Sequence, residues 1–514
     1  MTFSYTPFIA LWIVTGLLSA WFFRQKQYRH GLFLLFLTGF ALRFWAASLD
    51  PFLHDWDERF HAIVAKNMMH HPFKPMLRAN PAVAYDYTAW CCNHVWLHKQ
   101  PLFLWQMALS MRLFGVNELA LRLPSVLAGA LLVFPIFGIG RRVYSPVLGY
   151  LAAFAWAFGY FSIELAAGVI GMDHNDLSFA FYITCSVWAF FRYLERPALR
   201  NALLMGAFAG AAILCKWLVG LLVFGAFGVY ALLPGNRVQK ITHGTKALLM
   251  TLAVAVPWQI YTFVRFPLEA AHEMSYNLRH LAEVVETKGG DWAFYWRQLP
   301  YQYGDWAEYL LVAGLVLSVG LTRRYPRLWY LLLLLGLPFI FFSFLAKTKM
   351  IAYSFCVGPL VVLVLLMPMA WLLENIQRQL PRLFPAALAI VLVGCGAYFL
   401  RPLEIWTVHV ADQPTAYVKV ENRAAKVYNN QIFRKINELV PPDYILLNTR
   451  AHADTEAMFF SDRTVYQFWL DEKEFAEVRA RGQKVAVLHD FNKQCLPPYI
   501  LNDSTVLVID VLQQ

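Results

Sequence analysis

Along most of the chain, apolar residues come in long runs with few charges, separated by short polar stretches. About 20 such residues in a helix cross roughly 30 Å of hydrocarbon. The pattern predicts about twelve membrane-spanning helices, near residues 6–24, 31–49, 121–139, 147–163, 172–192, 201–215, 217–233, 245–264, 306–321, 327–345, 352–374 and 384–400. Runs of this kind exclude a sheet architecture for this part of the chain. The apolar run 102–114 is too short to span and is expected to lie in the membrane interface. Counting it as a span would invert every later loop.

After residue 400 the pattern changes to polar helices alternating with short apolar stretches, at Tyr444 to Asn448, Val465 to Phe468, Val485 to His489 and Val506 to Ile509. These read as strands of a small α/β domain outside the membrane. The expected fold class is therefore an α-helical polytopic membrane protein with a small C-terminal α/β domain. Residues 1–400 form the membrane part, with a large outer loop at 50–101, and residues 401–514 the soluble part.

Composition agrees with a bilayer environment. Of 514 residues 59% are hydrophobic and 15% charged, too apolar for a soluble multidomain enzyme. The net charge of +11 does not point to nucleic acid, because the cations sit in short loops and not on one amphipathic face. They fall in alternate loops: Arg24, Lys26, Arg29; Arg141, Arg142; Arg192, Arg196, Arg200; Arg237, Lys240, Lys246; Arg323, Arg324, Arg327; Arg378, Arg382. The positive-inside rule makes those loops cytoplasmic and places both termini, with everything between the basic loops, on the outer face. The first apolar run has no preceding basic region and no small-residue cleavage site, so it is expected to stay as a membrane helix.

The cysteines show neither zinc spacing nor a disulfide framework; Cys185, Cys215, Cys356 and Cys395 are isolated in apolar segments, and the adjacent Cys91 and Cys92 read as structural. No internal repeat and no Gly-rich phosphate loop is present.

The unusual polar residues gather on the outer face. His54-Asp55-Trp56-Asp57-Glu58-Arg59 follows a span directly, placing carboxylates at the membrane surface, where an acceptor hydroxyl or amine would need a base. A solvated helix start, with Arg59 pairing the acids, explains the same residues. Asp173 and Asp176 lie three residues apart on one helical face; helix capping is the alternative there. Lys216 interrupts an apolar stretch, where an ionisable group is costly, or snorkels from a hairpin tip. Lys99, Lys347 and Lys349 are cations on the outer side, against the charge rule. A lipid phosphate is an anion that would hold them there, and the cations would also stabilise it as a leaving group. His98, His272 and His280 are candidate ligands for a divalent metal, with structural histidines as the alternative.

At these residues the chain resembles the GT-C membrane glycosyltransferases, in the branch of protein O-mannosyltransferases and lipid A aminoarabinose transferases, over most of residues 30–400. Asp57-Glu58 with the helix that follows looks like the acidic motif of that family's first outer loop. His98-Lys99-Gln100-Pro101-Leu102 resembles its Glu-Lys-Pro-Pro stretch, and the match continues through Phe114 to Glu118 and Arg122 to Ser125. Asp176, or Asp173, falls where the family has its second acidic residue; Cys215-Lys216 matches its Thr-Lys, and Lys349 to Tyr353 its Lys-Leu-Pro-Thr-Tyr stretch. The resemblance implies a GT-C fold and Asp57 as general base, with Glu58 beside it. It implies Lys99, Lys216 and Tyr353 on the donor phosphate, with Arg59, Asp173, Asp176, Lys347 and Lys349 as further substrate ligands. Two departures stand out. His98 replaces an acidic residue that helps to bind metal in the aminoarabinose relatives, and Phe60 replaces an arginine whose place Arg59 would have to take.

The leading expectation is an inverting glycosyltransferase of the bacterial inner membrane, moving a sugar from a polyprenyl-phosphate donor to a lipid, glycan or protein acceptor on the periplasmic side. No cofactor is required beyond the candidate metal. The competing expectation is a flippase or transporter for such lipids, which would place its buried charges near the bilayer midplane.

Overall fold

In a computed structural model the chain is described at residues 6–89, 92–172, 174–409, 423–449, 453–490 and 496–512. It divides into two compact units, both discontinuous in sequence. One, the membrane unit, takes in residues 1–47, 125–261 and 275–406; the other, called the outer unit after the side of the membrane expected of it, residues 48–124, 262–274 and 407–514. This division differs from a linear cut at residue 400, because the C-terminal segment folds together with the first outer loop.

The membrane unit is helical. Among the described residues seven helices are long and apolar enough to cross a membrane, or up to ten if each bent pair counts as one span. The chain is a multi-pass membrane protein. Two local features separate these numbers from the expected twelve. Ile13–Arg24 is apolar but short. Leu199–Leu232 runs as one helical stretch of 34 residues, yet the chain reverses inside it. Trp217 has φ 63°, and a Cβ on Gly220 would stand 2.8 Å from the Ile213 nitrogen and 2.9 Å from the Ala209 oxygen. Only glycine permits that return of the backbone onto the helix it has just left.

A close pair of glycines, Gly140 and Gly149, accounts for the Gly138-x-Gly140 stretch, which is no phosphate loop. A Cβ on Gly140 would lie 2.4 Å from the Gly149 Cα, so Val133–Val143 and Pro146–Ala157 approach with their backbones almost touching, the small-residue packing that membrane helices use. The second of these helices starts at Ser145, whose hydroxyl accepts from the Leu148 amide, with Pro146 at the first position. It breaks before Tyr160–Ala167 with a 42° bend. The break frees carbonyls, and the buried Arg43 takes them: its guanidinium donates to the Ala157 and Trp156 oxygens at 3.0 and 2.9 Å and to the Ser162 hydroxyl at 2.6 Å. An unpaired carbonyl in hydrocarbon costs several kcal/mol or so, which is why a cation is tolerated there.

The outer unit is built on a three-stranded parallel sheet, β1 Tyr444–Leu447, β2 Lys484–Asp490 and β3 Leu507–Leu512, in that order. The expected strand at Val465 to Phe468 contributes a single bridge, Val465 to Leu446. Side chains alternate across the sheet as strand geometry requires. Ile445, Leu447, Val485 and Val487 pack with Tyr466, Leu470 and Ile500 on one face. On the other, Leu446, Ala486 and Leu488 join Ile432, Phe433 and Ile436 to Leu53, Phe60, Trp96, Phe103 and Met107. A parallel sheet needs cover on both faces, and here the first outer loop helps to cover one of them.

The run expected in the interface forms the helix Pro101–Phe114. Phe103, Leu104, Met107 and Met111 are buried, whereas Leu109, Leu113 and Phe114 are 59%, 67% and 62% exposed, the two-sided character of a helix lying at a membrane surface. Cys92 is disulfide-bonded, a pairing that the cysteine spacing did not reveal.

Candidate functional site

The acidic motif of the outer unit sits on an irregular turn. Trp56, with φ 60° and ψ −112°, precedes the helix Asp57–Met68, and no side chain caps that helix start. A bulky residue in this region costs on the order of 1–3 kcal/mol, so the turn persists because its flanks are fixed. Glu58 is buried in a bidentate pair with Arg122, Nε to Oε1 at 2.7 Å and Nη2 to Oε2 at 3.1 Å. Arg122 also donates to the Asp50 and Phe52 carbonyls, and the His54 amide donates to Glu58 at 2.6 Å. Glu58, expected at the reacting centre, lies in this buried pair. Arg59, expected among the substrate ligands, pairs through its guanidinium with Asp55 at 2.7 Å and with Glu456 at 3.0 Å. Tertiary partners far along the chain engage both side chains.

Asp57 has a different setting. It remains 37% exposed, and Lys99, at 14% exposure, brings its ammonium to 3.5 Å. A half-exposed pair of this kind is worth about 0–1 kcal/mol. Removing one partner of a buried pair such as Glu58–Arg122 costs about 3–5 kcal/mol. The motif thus holds one buried carboxylate beside one more exposed carboxylate.

Just upstream, Asp50 receives His409 at 2.8 Å, His54 at 3.3 Å and Arg423 at 2.9 Å. Burial alone would raise its pKa, but the hydrogen bonds and charges of His409 and His54 outweigh that and hold the carboxyl well below its usual range.

In the membrane unit, Asp176 and Lys216 meet at 2.5 Å where the end of Leu199–Lys216 reaches the start of His174–Glu195. Asp176 is 2% exposed and Lys216 21%. The neighbouring Asn175 reaches the Cys215 carbonyl at 3.5 Å, and His174 meets the Ser125 hydroxyl at 3.2 Å. Asp173, the alternative to Asp176, lies outside the described residues. The Lys347 to Tyr353 stretch separates its two lysines. Lys347 is exposed. Lys349 is buried, donating to the Ser343 and Ala346 carbonyls at 2.8 and 2.7 Å and also to that of Phe342. It caps the end of the preceding helix. Tyr353 stacks on Phe342 with ring centroids 4.6 Å apart.

The histidines do not assemble. His98 pairs with Glu273 at 3.0 Å, His272 packs edge-on to Tyr87, and His280 bonds the Tyr276 carbonyl of its own helix. Among the described residues no three His, Cys, Asp or Glu side chains converge as metal ligands.

Two groups were missed at the sequence level. Arg122 was noted only as part of a motif; its role as the Glu58 clamp needs the fold. Arg43 carried a visible signal, a lone cation inside an apolar run.

With this geometry in hand, the comparisons are specific. The structure aligns with ArnT from Cupriavidus metallidurans bound to undecaprenyl phosphate, TM-score 0.63 at 15% identity over 88% of each chain. It also aligns with the archaeal oligosaccharyltransferase AglB from Archaeoglobus fulgidus, TM-score 0.56 at 13% identity over 87% of this chain and 64% of that one. The fold is that of the GT-C membrane enzymes. Residues 98–261 match the dolichyl-phosphate-mannose-protein mannosyltransferase family. An undecaprenyl phosphate-alpha-4-amino-4-deoxy-L-arabinose arabinosyl transferase of Pseudomonas paraeruginosa is 29% identical over 272 residues, 50% of this chain and 47% of that protein. A Pseudomonas fluorescens protein of the same description is 25% identical over 316 residues, 59% of this chain and 54% of its own. The match spans about half the length of these relatives. The branch read from the motifs is the one to which these similarities lead.

Proposed function

We propose that this GT-C protein is a glycosyltransferase that moves a sugar from a polyprenyl-phosphate carrier to an acceptor hydroxyl or amine at the outer face of a bacterial inner membrane. The observation that carries the reading is the Asp57–Lys99 pair, whose carboxylate is more exposed than those of the ion pairs around it. Asp57 takes the proton from the acceptor as its oxygen or nitrogen bonds to the anomeric carbon. The bond from that carbon to the phosphate oxygen breaks, and the carrier phosphate leaves with the electron pair. Lys99 stabilises the charge that develops on it. A phosphate leaves without a strong general acid, so one carboxylate and one ammonium suffice, and attack opposite the phosphate inverts the anomeric centre. Lys216 and Tyr353 are phosphate ligands on the resemblance alone, with Asp176 orienting Lys216.

The disulfide at Cys92 and the basic alternate loops support the outer placement of the motif loop. The relatives' donor, undecaprenyl phosphate carrying 4-amino-4-deoxy-L-arabinose, is the first carrier to test; lipid, glycan and protein acceptors all fit the chemistry.

The test is mass spectrometry of polyprenyl-phosphate lipids from cells with the wild-type gene, a deletion, or Asp57→Asn. One glycosylated carrier should accumulate equally in the deletion and in Asp57→Asn. An unchanged carrier pool in both removes the donor assignment, and an altered distribution of an unchanged pool across the membrane favours a flippase.

A further inference from the structure

The C-terminal helix Arg423–Leu439 presents two kinds of side chain. Ile432, Phe433 and Ile436 enter the core against the sheet. Arg423, Lys426, Asn430 and Arg434, spaced three, four and four residues apart, form one polar stripe. Each is tied to the segment that carries the acidic motif or to its neighbours. Arg423 holds the Asp50 carboxylate and, at 2.6 Å, the Leu49 carbonyl. Lys426 reaches Asp55 at 3.0 Å. Asn430 donates at 3.0 Å to Glu456, whose other oxygen meets Arg59. Arg434 bonds Asn430 at 2.7 Å and pairs with Glu118.

The stripe brackets Asp57. Asp55, two residues before it, bridges Lys426 and Arg59; Arg59, two residues after it, bridges Asp55 and Glu456. Between them stands Trp56 in its left-handed conformation, 55% exposed. A Trp side chain does not intrinsically favour that conformation. Its ring stacks on Phe60, and the ion pairs flank it on both sides.

We infer that the C-terminal helix is a positioning strut for the reacting carboxylate: Lys426, through Asp55 and Arg59, fixes the Trp56 turn and thereby where Asp57 points. The inference rests on the reading of Asp57 as the acceptor base, and it assigns a part in the reaction to a C-terminal segment that carries no reacting group itself. Lys426 and Asp55 act through Asp57 and are positioning residues.

The experiment uses the full-length protein in detergent, the glycosylated carrier lipid recovered from deletion cells as donor, and envelope lipid extract as acceptor. The release of free polyprenyl phosphate is the readout. Lys426→Ala should lower kcat about tenfold with KM for the donor within about twofold, because a small misplacement of a reacting group slows chemistry without weakening uniform binding. Lys426→Arg should restore most of the rate. Asp55→Asn should match Lys426→Ala, and the double variant should be no slower than either, since both break one chain of contacts. Should Lys426→Ala not fold, Asp55→Asn carries the same prediction. Wild-type kcat in these variants, losses confined to KM, or losses that multiply in the double variant overturn the inference. Asp57→Asn, measured alongside, separates the two claims. If it is inactive while Lys426→Ala is normal, only the strut falls; if Asp57→Asn is fully active, the reading of Asp57 falls and the strut with it.

Discussion

In the outer unit Asp57 faces Lys99 at 3.5 Å on a loop crowded with other ion pairs. In the membrane unit Asp176 faces Lys216 at 2.5 Å at a helix reversal among largely apolar residues. The two regions reach similar acid–cation pairs by different means. Outside, the backbone around Asp57 is irregular, and a net of charges far apart in sequence fixes it. In the membrane, backbone geometry does the fixing: Trp217 in its left-handed conformation and Gly220 against Ile213 set where Lys216 ends its helix. The pairs of the outer net are mostly buried and share partners, so each is costly to break. Hydrocarbon makes every charge costly, so few are kept and the backbone carries the precision.

The largest effect that would break this contrast is Glu58→Gln. It leaves the Arg122 guanidinium buried opposite a neutral amide, so the outer unit should lose about 3–5 kcal/mol. Thermal unfolding of the purified protein, followed by near-ultraviolet circular dichroism, reads the loss. An unchanged transition would show that the buried anchor is not what holds the turn.

Lys216→Met sharpens the other half. It removes the cation proposed for the donor phosphate and strands Asp176, and turnover of the glycosylated carrier should fall by about 10²-fold, the scale for losing one preorganised charge stabiliser. Turnover within a factor of about three of wild type would make the pair structural, holding two helix ends together and nothing more.

What could be read beforehand follows the same division. The membrane helices, the sheet strands β1–β3 and the open acids and lysines announce themselves locally, because a long apolar run or a carboxylate at its edge is anomalous within a short window. Asp57, Glu58 and Arg59 are indistinguishable in that window. Only the fold separates them, by bringing Arg122 to Glu58 and Glu456 to Arg59. Lys349 looked like a free outer cation for the same reason, although the carbonyls it caps are close in sequence; the irregular helix end that exposes them leaves no periodic trace. The joining of the outer loop to the C-terminal sheet was hidden too. Alternating apolar residues show that a sheet face is covered, and say nothing of what covers it.

A smaller effect concerns pH and tests the outer network alone. Asp50 has a depressed pKa when folded, so its contribution to stability is fully present above the ordinary carboxylate range and is lost as pH falls through the folded value, well below 3.8. The stability gap between wild type and Asp50→Asn should therefore stay constant from about pH 7 down to about pH 5 and close only below about pH 4. A gap that closes between pH 7 and pH 5 would mean that Asp50 is not the group being titrated.

The smallest expected effect sits in the Lys347–Lys349 pair, where the two environments meet within three residues. Lys347 is exposed and Lys349 is buried on helix-end carbonyls. An exposed cation attracts an anionic headgroup through solvent, and that attraction is screened over about 8–10 Å at ordinary ionic strength. Lys347→Ala should raise KM for the donor only about two- to fivefold, and the difference should vanish in about 0.5 M salt. Lys349→Met should instead reduce the yield of folded protein at every salt concentration, because it leaves buried carbonyls without their donor. A loss of about 10²-fold in Lys347→Ala that persists in salt would show that the substrate desolvates Lys347 on binding, and this cation would then behave as the buried charges do.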